Sequence, residues 1–248
     1  MSRYRRSWMG AITLMLALGP GTAFAGRPLD TEDTGTVEPG KAELELSGDF
    51  ARNPDDQLWF AKGVLSFGLL PRLEARLESS LLFIEPDWEK GRGGIGDSLL
   101  GFKYRLLDEA ETLPAALGSL TIRLPTGDER RQLGAADVDV GLLAVASKAF
   151  GPVTLTWNGG YTFVTRDRDL DFWTLAASVE YRATKAWSLV GEIVSGLGSD
   201  SAADTAVLRA GTTYSITDRI RADVAICFGV FHGSPDVLIT VGVTILLF

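Results

Sequence analysis

From Lys41 to the end of the chain, apolar residues alternate with small, polar or charged residues in stretches of about ten positions. In the first stretch, Leu44, Leu46 and Phe50 fall on one side while Glu43 and Glu45 fall on the other. An alternation with a period of two predicts β-strands that have one apolar and one polar face. Gly, Pro, Asp and Asn interrupt the stretches and predict turns between successive strands.

The pattern predicts twelve strands that follow one another along the chain as an up-and-down meander. An even strand number is typical of single-chain bacterial membrane barrels. The predicted strands cover residues 41–50, 57–68, 72–84, 95–107, 115–124, 137–149, 152–164, 171–182, 186–196, 205–216, 219–231 and 236–248.

The direction of the apolar faces decides between two classes of all-β fold. A soluble barrel or sandwich buries its apolar face, whereas a transmembrane barrel turns that face to lipid and its polar face to the lumen. The strand length favours the membrane, because a tilted membrane strand needs about 9 to 11 residues. Aromatic residues of the apolar faces lie mostly near strand ends, as in interfacial girdles; they are Trp59, Phe67, Trp157, Tyr161, Phe163, Trp173, Tyr181, Trp187 and Tyr214. We therefore predict a transmembrane antiparallel up-and-down β-barrel.

The N-terminus carries an export signal. Three arginines precede an apolar stretch at residues 9–19, and Ala23-Phe24-Ala25 forms a small-x-small cleavage site. Residues 1–25 are therefore expected to be a cleaved signal peptide. Export and the strand pattern together predict the cell outer membrane, reached by secretion through the inner membrane.

Residues 26–40 precede the first strand and contain four acidic residues but few large apolar ones. Two interpretations are open for this segment: a periplasmic tail, which we favour, or a partial plug that folds into the barrel. Residues 41–248 are predicted to form the barrel itself.

The connections between strands alternate in kind. With both termini in the periplasm, the even-numbered connections are the periplasmic turns, and most of them are short. The odd-numbered connections are generally longer and more charged, as expected for extracellular loops. The predicted extracellular loops are 51–56, 85–94, 125–136, 165–169, 197–204 and 232–235.

Composition narrows the partners. The formal net charge is −8, with 24 basic and 32 acidic residues, and loss of the three signal-peptide arginines would bring it to about −11. This acidic balance argues against a nucleic-acid partner. The one cysteine, Cys227, allows no internal disulfide and is expected to be a buried, inert thiol. No cofactor is expected.

Three stretches of sequence resemble a known family. They are R-P-L-D-T-E-D-T-G-T-V-E-P-G-K-A-E-L-E-L from Arg27 to Leu46, G-I-G-D-S-L-L-G-F-K-Y-R-L from Gly94 to Leu106, and L-P-T-G from Leu124 to Gly127. They resemble signatures of the outer-membrane transporters grouped under the meta-pathway of phenol degradation. The resemblance spans the chain after the signal peptide and implies a small outer-membrane barrel for hydrophobic or aromatic compounds.

Strand phase predicts which charged residues face the lumen. Their signs are nearly balanced, which argues against a strongly ion-selective pore. Either they interlock as a salt-bridged plug or they surround a small aqueous or amphipathic path. The predicted lumen-facing residues are Glu43, Glu45, Glu74, Arg76, Glu78, Lys103, Arg105, Arg123, Asp139, Glu180, Arg182, Glu192, Arg209, Arg221 and Asp223.

Other candidate sites lie in loops and at the C-terminus. Asp167, Asp169 and Asp171 alternate along a strand entrance, so they could hold a divalent cation at the rim or simply be solvated charges. His232, the one histidine, lies near Ser234 and Asp236 and could serve a hydrolase, although a plain turn is the preferred interpretation.

The C-terminal Phe248 is expected to be a signal for the barrel-assembly machinery, although it is out of phase with the lipid-facing residues of the last strand. A terminal bulge or a tolerated offset would each account for that phase.

These observations favour a non-enzymatic channel or transporter for passive passage of small hydrophobic or aromatic compounds. The alternatives are a non-conducting structural or surface-interaction barrel and, more weakly, an outer-membrane hydrolase. The expected partners are outer-membrane lipid and lipopolysaccharide, the barrel-assembly machinery and small hydrophobic or aromatic solutes.

Overall fold

A computed structural model describes residues 26–199 and 204–248, so the predicted signal peptide lies outside the described residues. The described chain is almost entirely β-strand. The strands are β1 Ala42–Arg52, β2 Asp56–Leu70, β3 Leu73–Pro86, β4 Arg92–Ile95, β5 Ser98–Leu107, β6 Ala115–Leu124, β7 Asp139–Phe150, β8 Val153–Val164, β9 Phe172–Arg182, β10 Trp187–Gly198, β11 Thr205–Thr217, β12 Ile220–Gly229 and β13 Val237–Leu246. Two short 3₁₀ helices occupy Glu129–Arg131 and Arg168–Leu170.

The strands form one closed antiparallel barrel. Successive strands pair with each other, and β1 pairs with both β2 and β13, so the sheet has no free edge along this seam. Both β4 and β5 pair with β3, because a break at Gly96-Asp97 divides one wall strand into two segments. The barrel wall therefore contains twelve strands, and the predicted fold class is confirmed.

Alternation along each strand separates the two faces of the wall. On β1 the charged Glu43 and Glu45 are buried, whereas Leu46 on the opposite face is 44% exposed. Large apolar side chains, which a soluble protein would usually bury, thus cover the outside of the barrel, as in a wall that faces lipid.

Aromatic pairs mark both rims of that outer face. At one rim, the ring centroids of Tyr161 and Trp173 are 4.8 Å apart. At the other rim, those of Trp187 and Tyr214 are 5.9 Å apart. Two aromatic belts on the outside match the interfacial girdles of membrane barrels.

The two ends of the barrel differ in their connections. At the end where β1 begins and β13 finishes, here called the terminal end, β2–β3, β7–β8 and β11–β12 are joined by two residues each. At the opposite end, here called the loop end, the connection between β6 and β7 runs from residue 125 to residue 138. The predicted alternation of short and long connections is present.

Residues 26–40, here called the strap, fold into the barrel. Leu29, Glu32 and Val37 are 4%, 2% and 5% exposed, so the preferred interpretation of a periplasmic tail is wrong and the plug interpretation is right. Where the strap leaves the lumen, Pro39 forms a parallel bridge with Gly68. A Cβ atom at position 68 would collide with the carbonyl oxygen of Glu38, so this close approach requires glycine.

Candidate functional site

Most of the predicted lumen-facing charges are buried inside the barrel. The buried ones are Glu43, Glu45, Glu74, Arg76, Glu78, Lys103, Asp139, Glu192, Arg209 and Asp223. Four more are half-buried, namely Arg105, Arg123, Glu180 and Arg221. Arg182 is exposed because it is the last residue of β9 and reaches the turn at the terminal end, so its lumen-facing position stays a prediction.

The centre of the strap is held by a carboxylate–guanidinium–carboxylate arrangement. Arg209 on β11 donates to both carboxylate oxygens of Asp30, at 2.9 and 2.6 Å, and lies 3.2 Å from Glu192 on β10. Glu192 also accepts hydrogen bonds from the backbone N–H groups of Asp30 and Thr31, at 2.8 and 2.7 Å. The side chains of Arg209 and Glu192 are 6% and 0% exposed, so these charges rely on each other rather than on water.

A second anchor lies across the lumen. Glu32 of the strap forms ion pairs with Arg76 on β3, at 2.7 Å, and with Lys103 on β5, at 2.8 Å. Its backbone N–H donates to the side-chain oxygen of Asn158 on β8, whose amide donates back to the Glu32 carbonyl at 2.8 Å. One strap residue therefore connects three separate wall strands.

The two ends of the strap are also fixed. Arg27 donates to both carboxylate oxygens of Asp223, at 3.2 and 2.9 Å, and to the Thr240 hydroxyl at 3.0 Å. The backbone N–H of Val37 donates to Glu74 at 2.8 Å. Strand phase predicts the wall partners but not the strap residues that meet them. The acidic residues of the strap, among them Asp30 and Glu32, were the available signal.

Some lumen carboxylates have no such partner. All four carboxylate oxygens of Glu43 and Glu45 are buried and lack a hydrogen-bond partner in residues 26–199 and 204–248. Arg221 and Thr244 close by have unsatisfied polar atoms as well. Of the two alternatives for the lumen charges, a salt-bridged plug therefore describes the charges that contact the strap. It does not describe Glu43 and Glu45 on β1.

Towards the loop end the inner faces of β1, β2 and β3 are apolar, whereas Arg123 on β6 and Asp139 on β7 form an ion pair at the same end. Ala51, Leu58, Leu82 and Ile84 from the inner faces of β1, β2 and β3 form a buried cluster with Leu133, which belongs to the connection between β6 and β7. We call residues 125–138 the lid, because this connection folds over the mouth of the lumen. Phe60 and Leu238 pack against the same cluster.

Backbone and side-chain contacts hold the lid in place, among the latter an ion pair between Glu129 and Arg166. Asp97, in the break between β4 and β5, accepts hydrogen bonds from the N–H groups of Gly127 and Ala135, at 3.0 and 2.8 Å. The Leu133 N–H donates to the carbonyl of Asp128 at 3.0 Å. These contacts position Leu133 above the wall without requiring other buried lid residues, since Leu133 is the one buried residue of this connection.

The inner wall carries more apolar residues than the sequence pattern predicts. Buried, inward-facing apolar residues occur on both sides of the lumen and include Leu58, Leu82, Leu99, Leu117, Val145, Phe172, Ala176, Val194 and Val207. We had predicted a polar lumen because the charged residues stand out in the alternation. A continuous apolar run such as Leu99-Leu100 hides which of its members faces inward.

The predicted cation site does not assemble. Residues 168–170 form a 3₁₀ helix rather than a strand entrance, and Asp167 caps this helix. Asp171 instead accepts hydrogen bonds from the Val164 N–H, at 2.7 Å, and the Tyr161 hydroxyl, at 3.0 Å. Within the part of the chain that the structure describes, no group of three or more His, Cys, Asp or Glu residues could hold a metal ion.

The structure places Ser234 and His232, the residues considered for a hydrolase, in different environments. The Ser234 hydroxyl is buried and contacts the backbone N–H and carbonyl of Ala206, at 2.9 and 2.8 Å, while His232 is exposed. Ser234 is therefore a structural residue of this connection.

The C-terminal aromatic lies beyond the strand. Strand β13 ends at Leu246 and the following Phe248 is 56% exposed. Strand alternation therefore does not fix its direction, and its role in assembly stays a prediction.

The fold and the filled lumen define the class of the protein: a small barrel of the kind found among outer membrane channels. It is similar to an outer membrane channel from Pseudomonas putida F1, with a TM-score of 0.69 and 15% identity over 87% of this chain and 98% of that chain. It is also similar to the NanC porin, with a TM-score of 0.59 and 12% identity over 82% and 98% of the two chains. The KdgM porin gives a TM-score of 0.58 and 8% identity over the same shares. At these identities the likeness is one of fold.

The family is given by the sequence itself. The family described as "Putative MetA-pathway of phenol degradation" matches residues 25–247, and the chain belongs to it. The resemblance seen in the sequence is thus confirmed. No curated protein matches the sequence. In the described part of the chain, no helix is long and apolar enough to cross a membrane.

Proposed function

We propose that this protein is an outer-membrane channel for the passive passage of small hydrophobic or aromatic compounds. The observation that carries the proposal is the apolar cluster in the loop-end part of the lumen, where Leu58, Leu82 and Ile84 face inward from adjacent strands. A general aqueous pore needs a polar lining, whereas sites for apolar molecules are concave and mostly apolar. Membership of a family named for phenol degradation supports the same class of solute. The proposed role contains no catalytic step.

The proposal includes an orientation. The two-residue turns of the terminal end would face the periplasm and the longer connections, including the lid, would face outside, as is usual for bacterial barrels. A solute arriving from outside would then meet the apolar cluster first and the charged strap second. The partners in assembly and in the membrane would be the barrel-assembly machinery, outer-membrane lipid and lipopolysaccharide.

Support for lipid contact comes from the outer face. A cavity of about 600 Å³ lies there, where Gly118, Ala144 and Gly159 of three adjacent strands leave a depression. Tyr104 and Trp173 lie at its two sides and are themselves exposed. An acyl chain could fill this space, because its surroundings are mainly apolar.

Transport can be tested with the refolded full chain in liposomes and in planar bilayers. We expect faster uptake of phenol and toluene than into protein-free liposomes. Benzoate uptake should be accelerated little, because a charged solute would have to lose its hydration beside the apolar cluster. A correctly folded sample that speeds the uptake of neither phenol nor toluene, and gives no discrete conductance steps, would refute the channel proposal.

A second candidate function is a non-conducting structural or surface-interaction barrel. The observation that favours it is the strap, since ion pairs of its residues Arg27, Asp30 and Glu32 connect it to wall strands around the lumen. The liposome experiment separates the two candidates. Deletion of the strap residues 26–40 makes this experiment more decisive. A channel that only the strap closes should take up aromatic solutes faster after the deletion, whereas a structural barrel should show no selective uptake of aromatic solutes.

A further inference from the structure

Leu133 is a buried side chain that comes from an exposed connection and contacts the inner wall of the barrel. Leu133 is 3% exposed, whereas the residues before it in the lid, from Asp128 to Gln132, are exposed. The wall that receives it consists of barrel residues, and Leu82 there is 1% exposed. A single isobutyl side chain from a surface connection therefore fills an apolar recess that the barrel itself provides.

The recess is shaped for this side chain. A Cβ atom at Gly94 on β4 would lie 2.9 Å from the Cδ1 atom of Leu133, closer than real side chains allow. The absence of a side chain at position 94 thus leaves room for Leu133 beside Leu82 and Ile84. The recess is bounded by β13 through Leu238 and by β2 through Phe60.

The lid can release Leu133 without loss of the barrel. Its attachment to Asp97 uses backbone groups on both sides of Leu133. Two non-glycine residues that flank Leu133 have left-handed backbone conformations, Gln132 with φ 60° and Ala136 with φ 67°. Such conformations cost roughly 1–3 kcal/mol each, which reduces the net gain from seating Leu133. Burial of a leucine side chain contributes about 1.5–3 kcal/mol, so the backbone strain of the lid is of the same order as the gain from seating Leu133.

We propose that the recess formed by Leu58, Phe60, Leu82, Ile84 and Leu238 is a binding site for the apolar part of a solute, and that Leu133 occupies it as a place-holder. The ligand class is a small uncharged hydrocarbon or aromatic ring, of about the size of a leucine or phenylalanine side chain. The solute enters by displacing Leu133, and the side chain returns after the solute moves on. This inference rests on the proposed channel function, for which it names the entry site.

The test is binding of fluorobenzene to the refolded full chain, followed by ¹⁹F NMR with protein-free micelles as the blank. Leu133→Ala removes the competing side chain and leaves a space of similar chemistry, so we expect fluorobenzene to bind at least about tenfold more tightly than to the unchanged protein. Leu133→Trp fills the recess and should weaken binding. Leu170→Ala is the matched control, because Leu170 is 54% exposed in another connection of the loop end.

A second measurement uses the unchanged protein. Arg130 and Arg131 lie in the lid next to Leu133, so displacement of Leu133 by fluorobenzene should speed tryptic cleavage at these two residues. Two results together would overturn the inference. Fluorobenzene would bind with equal affinity to Leu133→Ala, Leu170→Ala and the unchanged protein, and the rate of tryptic cleavage would be the same with and without fluorobenzene.

The outcomes separate this site from the proposed function. Tight binding to Leu133→Ala without liposome uptake would support the site and remove the channel. Uptake by a protein whose Leu133→Ala variant binds no more tightly would support the channel and remove the site. Faster uptake of toluene by Leu133→Ala would support both.

Discussion

The strap and the lid close the same lumen by different physical means. The strap brings in charged groups, and Asp30 and Glu32 meet Arg209, Arg76 and Lys103 with bonds of 2.6–2.9 Å. The lid brings in one apolar side chain, Leu133, while its attachment to the barrel includes two hydrogen bonds to the half-buried Asp97. Directional charge pairs thus close one level and a non-directional apolar contact closes the other.

The two kinds of closure respond differently to a solute. Buried ion pairs must be broken together, since removal of one partner leaves the other charge without water or counter-charge. An apolar contact can instead be replaced by any apolar group of similar size. We therefore expect the lid to exchange readily with apolar solutes and the strap to stay docked until several pairs are lost.

The largest effect is expected at the centre of the strap. Arg209→Met leaves Asp30 and Glu192 without their shared cation, a change that costs about 3–5 kcal/mol for a buried pair. Strap release can be followed by thiol labelling of T34C in a Cys227→Ser background, because Thr34 is only 6% exposed. Labelling should become on the order of 10²- to 10³-fold faster.

Glu45→Gln is the matched control for Arg209→Met. The Glu45 carboxylate is equally buried, but neither oxygen has a hydrogen-bond partner in the described residues. Neutralisation should therefore leave the labelling rate of T34C nearly unchanged. Equal acceleration in Arg209→Met and Glu45→Gln would mean that general lumen charge, rather than specific pairing, holds the strap.

A smaller effect is expected at the lid. Asp97→Ala removes the acceptor of the Gly127 and Ala135 N–H groups, and hydrogen bonds to charged groups contribute about 1.5–3 kcal/mol. Tryptic cleavage at Arg130 should become about 10- to 100-fold faster, as identified by mass spectrometry of the fragments. Asp55→Ala, a change of an exposed aspartate in a neighbouring connection, should leave the rate unaltered. A lid that stays resistant in Asp97→Ala would show that its other contacts hold it without Asp97.

The smallest effect concerns exposed charge at the terminal end. Two hydrogen bonds to its carboxylate hold the pKa of Glu109 below its ordinary value of 4.5. The larger effect comes from the backbone N–H of Ala149, at 3.0 Å, and the smaller from the side chain of Lys148. A lowered carboxyl pKa means that this link between the β5–β6 connection and the end of β7 is present above the unfolded-state pKa and is lost as the pH falls through the folded one. A ¹³C titration of the Glu109 carboxyl should give a midpoint below 4.5, and Lys148→Met should raise it; a midpoint at or above 4.5 in the unchanged protein would contradict the contact.

The alternation of residues determined the barrel by itself. The period of two is a local property of each strand, and it was enough to predict twelve wall strands, the outward position of Trp59 and Tyr214 and the burial of Glu74 and Lys103. It failed locally where hydrogen bonding within the connection formed a 3₁₀ helix, as at residues 168–170.

The contents of the lumen were decided by tertiary structure. Arg209 and Asp30 are 179 positions apart in sequence, and Arg27 and Thr240 are 213 apart, so neither contact leaves a local pattern. Leu133 stands among polar and small residues, where nothing in the alternation indicates burial. Strand phase depends on neighbours in the chain, whereas the pairing of the strap and the seating of Leu133 depend on a cavity that exists only after the barrel has closed.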